Sequence, residues 1–97
     1  MGFVQIIQFR TSKIDEMRAL GEEWQERAGD DRTASRVLVC ANRDNPGEYL
    51  NIVFFDSYEE AMKNSSLPAT QELSGKMMAL GDGPPTFYNL DILDDRT

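Results

Sequence analysis

Histidine is absent from this chain of 97 residues, and only one cysteine, Cys40, occurs. The missing histidine excludes histidine-containing catalytic triads, histidine-ligated zinc and a histidine axial ligand to haem. A single cysteine also excludes an intrachain disulfide and a thiolate metal cluster. We therefore expect no cofactor and no metal. Because Cys40 lies in the apolar run Val37–Ala41, we interpret it as a small core residue.

Basic residues are scarce, with 10 Lys and Arg against 17 Asp and Glu, for a formal net charge of −7. This balance disfavours a surface that binds phosphates, so we expect no nucleic-acid partner. Apolar runs do not approach the roughly 20 residues that span a bilayer. The N-terminus also lacks the basic and apolar stretches of a signal peptide. We predict a cytoplasmic protein with no membrane partner.

Apolar residues make up 40% of the chain, enough for a folded core. The length is that of a single domain, which we place at 1–97, with a core at 3–93 and a polar tail at 94–97. Four β-branched or aromatic runs predict strands, and two periodic apolar stripes predict helices. The predicted strands are 3–9, 35–41, 48–55 and 87–93.

The predicted order is βαββαβ, a ferredoxin-like α+β fold with a four-stranded antiparallel sheet and both helices on one face. The first helix carries its stripe from Ile14 to Ala28 and ends at Gly29, which suits a left-handed helix end. Pro46 and Gly47 suit the centre of a type II turn between the second and third strands. The second helix begins after a capping Ser57, and we predict that it breaks near Asn64.

The third strand is apolar on both faces, although one face of such a sheet should meet water. One face carries Tyr49, Asn51, Val53 and Phe55, and the other carries Leu50, Ile52 and Phe54. Exposing a large apolar side chain forgoes about 1.5–3 kcal/mol. We therefore predict a homodimer in which two copies pack through the sheet face.

The element order, together with the segment 54–65 (Phe-Phe-Asp-Ser-Tyr-Glu-Glu-Ala-Met-Lys-Asn-Ser), resembles the dimeric α/β-barrel superfamily. More narrowly, the chain is similar to antibiotic-biosynthesis-monooxygenase (ABM) domains, over nearly its whole length. The resemblance implies the strand end, the Ser-led short helix and the break before a long helix. Relatives of this kind include enzymes, haem degraders and proteins without an assigned activity, so the resemblance implies the fold more firmly than the chemistry.

In the haem-degrading branch an aromatic residue ends the third strand, and Phe55 stands at the matching position. That branch also places a histidine on the long helix, near Gln71 and Glu72 here, so the resemblance disfavours haem degradation. Cofactor-independent monooxygenases of this group bind a flat aromatic substrate between sheet and helices. By this resemblance, Asn51, Tyr49 and Trp24 correspond to their donors and aromatic residues.

The candidate residues of a ligand pocket are aromatic, amide and carboxylate side chains from the first helix, the third strand and the long helix. They are Trp24, Tyr49, Asn51, Phe55 and Glu72. Trp24 either stacks on a ligand or packs on the sheet with its indole N–H bonded nearby. Asn51 faces either a dimer interface or a wet cavity, because a buried amide needs partners.

The catalytic residues stay unidentified. Asp56 and Glu72 are the nearest candidates for a general base, and Arg10 and Arg36 are candidates for binding a carboxylate or enolate. Two functions fit this sequence. One is a homodimeric, cofactor-independent monooxygenase that acts on an aromatic phenol or quinol. The other is a non-catalytic dimer that binds a small hydrophobic ligand or serves as a stress-related accessory protein.

Overall fold

Four strands and three α-helices follow one another in the order expected from the sequence, in a computed structural model that describes residues 2–96. They are β1 (Phe3–Arg10), α1 (Ile14–Ala28), β2 (Ala34–Ala41), β3 (Glu48–Phe55), α2 (Tyr58–Ser66), α3 (Pro68–Leu80) and β4 (Thr86–Asp91). A short 3-10 turn at Gly29–Asp31 follows α1. The strands form one antiparallel sheet in the order β2-β3-β1-β4. The predicted ferredoxin-like βαββαβ fold with a broken second helix is confirmed.

Strand register divides the side chains between two faces of the sheet. In the pairing of β1 with β3, Phe3 lies opposite Phe55 and Ile7 lies opposite Asn51. Odd-numbered residues of both strands therefore share one face, because side chains alternate along a strand. Phe3 and Phe55 pack there with Ala61 of α2 in the buried core. We call this the helix face, and the opposite side of the sheet the open face.

Helices α1 and α3 are joined to each other by polar contacts at their contact line. The indole N–H of Trp24 donates to Thr70 Oγ1 at 2.8 Å. An ion pair joins Arg27 to Glu72 at 2.7 Å. The two helices thus form one layer over the helix face, and a space remains between that layer and the sheet.

The break in the second helical segment occurs at Leu67, three residues after the predicted position near Asn64. Ser57 Oγ accepts a hydrogen bond from the Glu60 N–H at 3.2 Å, so Ser57 caps α2 as expected. The helix continues through Asn64 to Ser66, and the chain breaks at Leu67, whose ψ is 135°. Pro68 then starts α3, where its missing N–H costs little. Asn64 does not break the helix, because its buried amide oxygen accepts from the Thr33 N–H at 3.2 Å.

Two predicted chain reversals can be compared with the structure. Gly47 has a φ of 90°, and the Glu48 N–H donates to the Asn45 carbonyl at 3.1 Å, which confirms the type II turn. Gly29 ends α1 with φ 50° and ψ −126°. The positive φ agrees with the prediction, but the ψ is not that of a left-handed helix.

Two further predictions are wrong in detail. β4 ends at Asp91 rather than at residue 93, and Leu93 is 81% exposed. Cys40 is only partly buried, and its pairing opposite Leu50 places it on the open face, not in the core between sheet and helices. Within residues 2–96, no helix is long and apolar enough to cross a membrane.

Candidate ligand-binding site

A cavity of about 720 Å³ separates the sheet from helices α1 and α3. Its sheet side includes Ile7, Phe9 and Val53, and its helix side includes Met17 and Met77. The cavity opens along β2, where Val37 and Val39 are 43% and 50% exposed even though they face the helices. Ligand pockets in proteins commonly enclose about 300–1,000 Å³ with mostly apolar walls, and this cavity is of that kind.

Three of the five predicted pocket residues, Trp24, Asn51 and Phe55, line the cavity together. Trp24 is 9% exposed, and its indole N–H is already bonded to Thr70. The ring can therefore offer a ligand its face but not its N–H. Trp24 thus packs with its indole N–H bonded nearby, as one alternative expected, and its ring also forms part of the cavity wall.

Phe55 occupies one end of the cavity, where the sheet meets α2. It is 4% exposed, and its ring centroid lies 6.4 Å from that of Phe3. Ala34 lies opposite Phe55 in the register and also lines the cavity. This end is closed by packed side chains, in contrast to the side that opens along β2.

Asn51 is the unusual polar residue of the cavity. It lies at the middle of β3, between Ile7 of β1 and Val39 of β2. Its Oδ1 atom is buried and accepts no hydrogen bond from residues 2–96. An unpaired buried acceptor costs about 1–3 kcal/mol. The terminal torsion of asparagine is soft, so a modest rotation can turn the amide oxygen toward the cavity that this residue lines.

The other two predicted pocket residues, Tyr49 and Glu72, lie outside the cavity lining. The Tyr49 ring stacks on Phe9 with centroids 5.9 Å apart and planes at 29°. Glu72 instead pairs with Arg27 at 2.7 Å and with Lys76 at 3.5 Å. The hydrogen bond and charge of Arg27, supported by Lys76, lower the pKa of Glu72 below its ordinary value of 4.5.

These contacts bear on the choice of a general base. Glu72 is held as a carboxylate between two cations away from the cavity, so it is poorly placed to accept a substrate proton. Asp56 is exposed and also does not line the cavity. Among the side chains of residues 2–96 that line the cavity, the one carboxylate is Glu22 of α1, which is exposed.

Arg32 also lines the cavity, although it is not among the candidate residues that the sequence indicated. It is partly buried, and its Nε–H donates to the Gly29 carbonyl at 3.3 Å. Its guanidinium carbon lies 6.0 Å from the centroid of the Trp24 ring. The one signal in the sequence was Gly29, whose positive φ lets the chain turn back toward α1.

The two arginines that the sequence singled out for anion binding behave differently. The Arg36 guanidinium lies 6.0 Å from the Phe54 ring, which is on the open face, although part of the residue reaches the cavity rim. Arg10 donates to the Pro46 carbonyl at 3.2 Å and does not line the cavity.

A separate polar cluster surrounds Glu48 at one end of the open face. The side-chain amides of Asn42, Gln8 and Asn45 all donate to its carboxylate, at 2.7 Å from Gln8 and 3.3 Å from Asn45. These hydrogen bonds, that from Asn42 foremost, lower the pKa of Glu48 below its ordinary value of 4.5. The Tyr88 hydroxyl reaches Gln8 Oε1 at 3.4 Å. The cluster fixes a carboxylate as a hydrogen-bond acceptor on the surface of the sheet.

Structural comparison finds close matches to this architecture. The cofactor-independent oxygenase SnoaB from Streptomyces nogalater superposes with a TM-score of 0.80 at 12% identity, over 97% of this chain and 95% of that one. Rv0793 from Mycobacterium tuberculosis gives 0.81 at 15% identity, over the full length of both chains. The chain has the ABM fold. No family model matches its sequence, and no curated protein matches it either.

Another ABM-fold protein, from Caulobacter crescentus CB15, superposes with a TM-score of 0.82 at 10% identity, over 96% of this chain and 91% of that one. It is proposed to be an antibiotic biosynthesis monooxygenase. At these identities the comparisons establish a shared fold, and the fold does not carry the reaction with it. Within residues 2–96, no three His, Cys, Asp or Glu side chains gather as a metal site.

Proposed function

We propose that this ABM-fold protein binds a flat, mainly apolar small molecule that carries a hydroxyl group, in the cavity between sheet and helices. The observation that carries the proposal is the unpaired buried oxygen of Asn51 in an otherwise apolar stretch of cavity wall. A ligand hydroxyl that donates to this oxygen removes a cost of about 1–3 kcal/mol that the free protein bears.

The shape of the cavity favours a flat ligand. Its walls are a β-sheet on one side and two helices on the other, so it is a layer rather than a sphere. The Trp24 ring and the Phe9 and Phe55 rings supply aromatic surface along it. Aromatic ligands gain from stacked or edge-on contacts with such rings beyond the area they bury.

The fluorescence of Trp24 provides a direct test, because it is the chain's one tryptophan and it lines the cavity. We expect 1,8-dihydroxyanthrone to quench it with saturation at micromolar concentration. Val39→Trp, which fills the open side, should abolish saturable binding of the anthrone as measured by its own absorbance. Asn51→Leu should weaken binding roughly tenfold. The proposal would be refuted if 1,8-dihydroxyanthrone did not saturate the wild-type protein even at concentrations about 100 times higher than micromolar.

Cofactor-independent oxygenation of the bound molecule is the second, finer proposal, favoured by the fold shared with SnoaB. In an anthrone, two C–H bonds at the methylene carbon break and a C=O bond forms there. The second oxygen atom of O₂ leaves as water, so the substrate supplies all four electrons. Because Glu72 is turned away and Glu22 is exposed, we expect the substrate to lose its first proton through its own acidity while Asn51 accepts a hydrogen bond from its phenol.

An oxygen electrode separates binding from turnover. We expect the wild-type protein to raise oxygen uptake by 1,8-dihydroxyanthrone above the rate with heat-denatured protein, and Asn51→Leu to lower that rate. Saturable binding without any added oxygen uptake would leave a non-catalytic binding protein, the alternative that the sequence also allowed.

We also propose that two copies pack through the open face to form a homodimer. That face carries Val4, Ile6, Leu50, Ile52 and Phe54, all only partly buried within one chain. Leu90 of β4 extends the same patch and is 42% exposed. Contiguous apolar surface of this kind usually marks an interface, and a two-fold pair covers it with a single self-complementary patch.

Light scattering tests the assembly. The wild-type protein should have twice its chain mass of 11.0 kDa. Ile52→Glu should halve the measured mass because it places a charge at the centre of the patch, whereas Ala79→Glu on the exposed side of α3 should not. A wild-type protein that scatters as a monomer at micromolar concentration contradicts this proposal.

A further inference from the structure

The charged side chains that line the cavity are mainly positive, although the protein as a whole is negatively charged. The chain has 17 acidic and 10 basic residues, yet three arginines and one carboxylate line the cavity within residues 2–96. The arginines are Arg18, Arg32 and Arg36. A cavity lined by more arginines than carboxylates is suited to an anionic ligand even in an acidic protein, because distant charges are screened at physiological ionic strength.

Arg32 is the best placed of the three. Arg18 is exposed and lies 4.0 Å from Asp15, and the Arg36 guanidinium lies over Phe54 of the open face. Arg32 is partly buried and fixed by its Nε–H bond to Gly29 and by the Trp24 ring. None of the ion pairs formed within residues 2–96 includes Arg32.

The guanidinium therefore keeps its terminal N–H groups for another acceptor. A planar fork of this type binds carboxylate, sulfonate or phenolate oxygens more strongly than neutral groups, since both partners are charged. The Trp24 ring beside it provides a surface on which an aromatic body can stack.

Arg32 and Asn51 lie toward different ends of the cavity. Arg32 comes two residues before Ala34, which pairs opposite Phe55, and Asn51 lies four residues before Phe55 on β3. Four residues of a strand span about 13 Å. The distance between the polar ends of Arg32 and Asn51 is shorter where both side chains extend into the cavity. This separation is comparable to the length of a molecule with two or three fused rings.

We propose that the cavity selects flat aromatic compounds with an anionic oxygen group, and that Arg32 binds this group while Asn51 holds a hydroxyl toward the other end. This inference rests on the ligand-binding function proposed above and adds the charge of the ligand to it. Arg32 acts here as a specificity-determining residue.

Two fluorescent probes with the same aromatic body test the role of charge. These are 8-anilinonaphthalene-1-sulfonate, which is an anion, and N-phenyl-1-naphthylamine, which is neutral. Arg32→Gln should weaken binding of the sulfonate about tenfold and change binding of the neutral probe less than twofold. Arg32→Lys keeps the charge and should recover most of the sulfonate affinity.

Arg43→Gln is the matched control, because it removes one positive charge from the exposed β2–β3 turn. Equal losses of sulfonate affinity in Arg32→Gln and Arg43→Gln would overturn the inference, since only net charge would then matter. Val39→Trp should abolish the binding of both probes, which would show that they bind in the cavity.

The outcomes separate this inference from the proposed function. If neither probe binds the cavity, the proposed function fails together with the inference. If the neutral probe binds but Arg32→Gln leaves sulfonate binding intact, only the inference fails. Should Arg32→Gln unfold, the wild-type protein still decides the matter, because anthracene-2-carboxylate must displace the neutral probe at lower concentration than anthracene-2-carboxamide. Equal displacement by these two compounds contradicts a role for charge.

Discussion

Replacing Asn51 by leucine should make the free protein more stable while it weakens ligand binding. In the free protein the Asn51 Oδ1 atom is buried and has no hydrogen-bond donor among residues 2–96. Leucine has the same branched shape and the same number of heavy atoms but no polar atom to leave unpaired, and the neighbouring cavity of about 720 Å³ has room for its slightly bulkier methyl groups. The residue beside it on each neighbouring strand, Ile7 or Val39, is apolar and suits a leucine contact.

The expected gain follows from the cost of the unpaired acceptor. Removing a buried unsatisfied group recovers about 1–3 kcal/mol of unfolding free energy. In a domain of this length, 1 kcal/mol raises Tm by about 4–8 °C. Urea unfolding and thermal melting should therefore both show Asn51→Leu above wild type, at one fixed protein concentration because association also shifts Tm.

Gln5→Leu provides the matched control on the same face of the sheet. The Gln5 amide already donates to Asn89 Oδ1 at 3.1 Å, so its removal gains nothing and should lower stability or leave it unchanged. If Asn51→Leu were less stable than wild type by 1 kcal/mol or more, our interpretation of the Asn51 oxygen as unpaired would be refuted. Such a loss would mean that the amide oxygen is well paired in solution.

Three further predictions concern stability. Thr70→Val should cost about 1–3 kcal/mol because it leaves the Trp24 indole N–H without an acceptor, whereas Thr70→Ser should retain most of the stability in urea unfolding. Ser57→Ala should cost about 1 kcal/mol through the lost cap of α2, with Ser65→Ala, which substitutes an exposed α2 serine, as the control. Acid should destabilise the protein through Glu48, because its folded-state pKa lies below 4.5. The stabilisation that comes from ionised Glu48 is present above pH 4.5 and is lost as the pH falls through the lower pKa of the folded state. Glu48→Gln should therefore flatten the decline of Tm in this pH range. An unchanged slope of Tm against pH would contradict this role of Glu48.

Elements formed by neighbouring residues were predictable from the sequence. The bounds of β3 and of α1 agree with the apolar patterns that predicted them, and so do the cap at Ser57 and the turn at Gly47. Each depends on contacts within a few residues. The helix break was displaced from Asn64 to Leu67 because Asn64 bonds to Thr33, a residue far away in sequence.

The candidate site was predictable only in part. Trp24, Asn51 and Phe55 line the cavity; strand alternation put Asn51 and Phe55 on one face of β3, and the helical stripe put Trp24 on the apolar side of α1, but only the structure shows that both sides face the cavity. Glu72 precedes Leu73 of the inner stripe, so helical geometry turns it about 100° away, and Arg27 of α1 holds it there. Gly29 was the one signal near Arg32, and a glycine by itself does not indicate that the following chain returns to the cavity.

The sequence by itself determined the order of the elements, the apolar character of both sheet faces and the exclusion of histidine chemistry. These properties depend on residue type and local spacing. Only the tertiary structure decided that a cavity remains under α1 and α3, that the Asn51 oxygen is unpaired, and that Arg32 lies beside Trp24. The physical reason is that each of these depends on the distance between sheet and helices, which packing between residues remote in sequence sets.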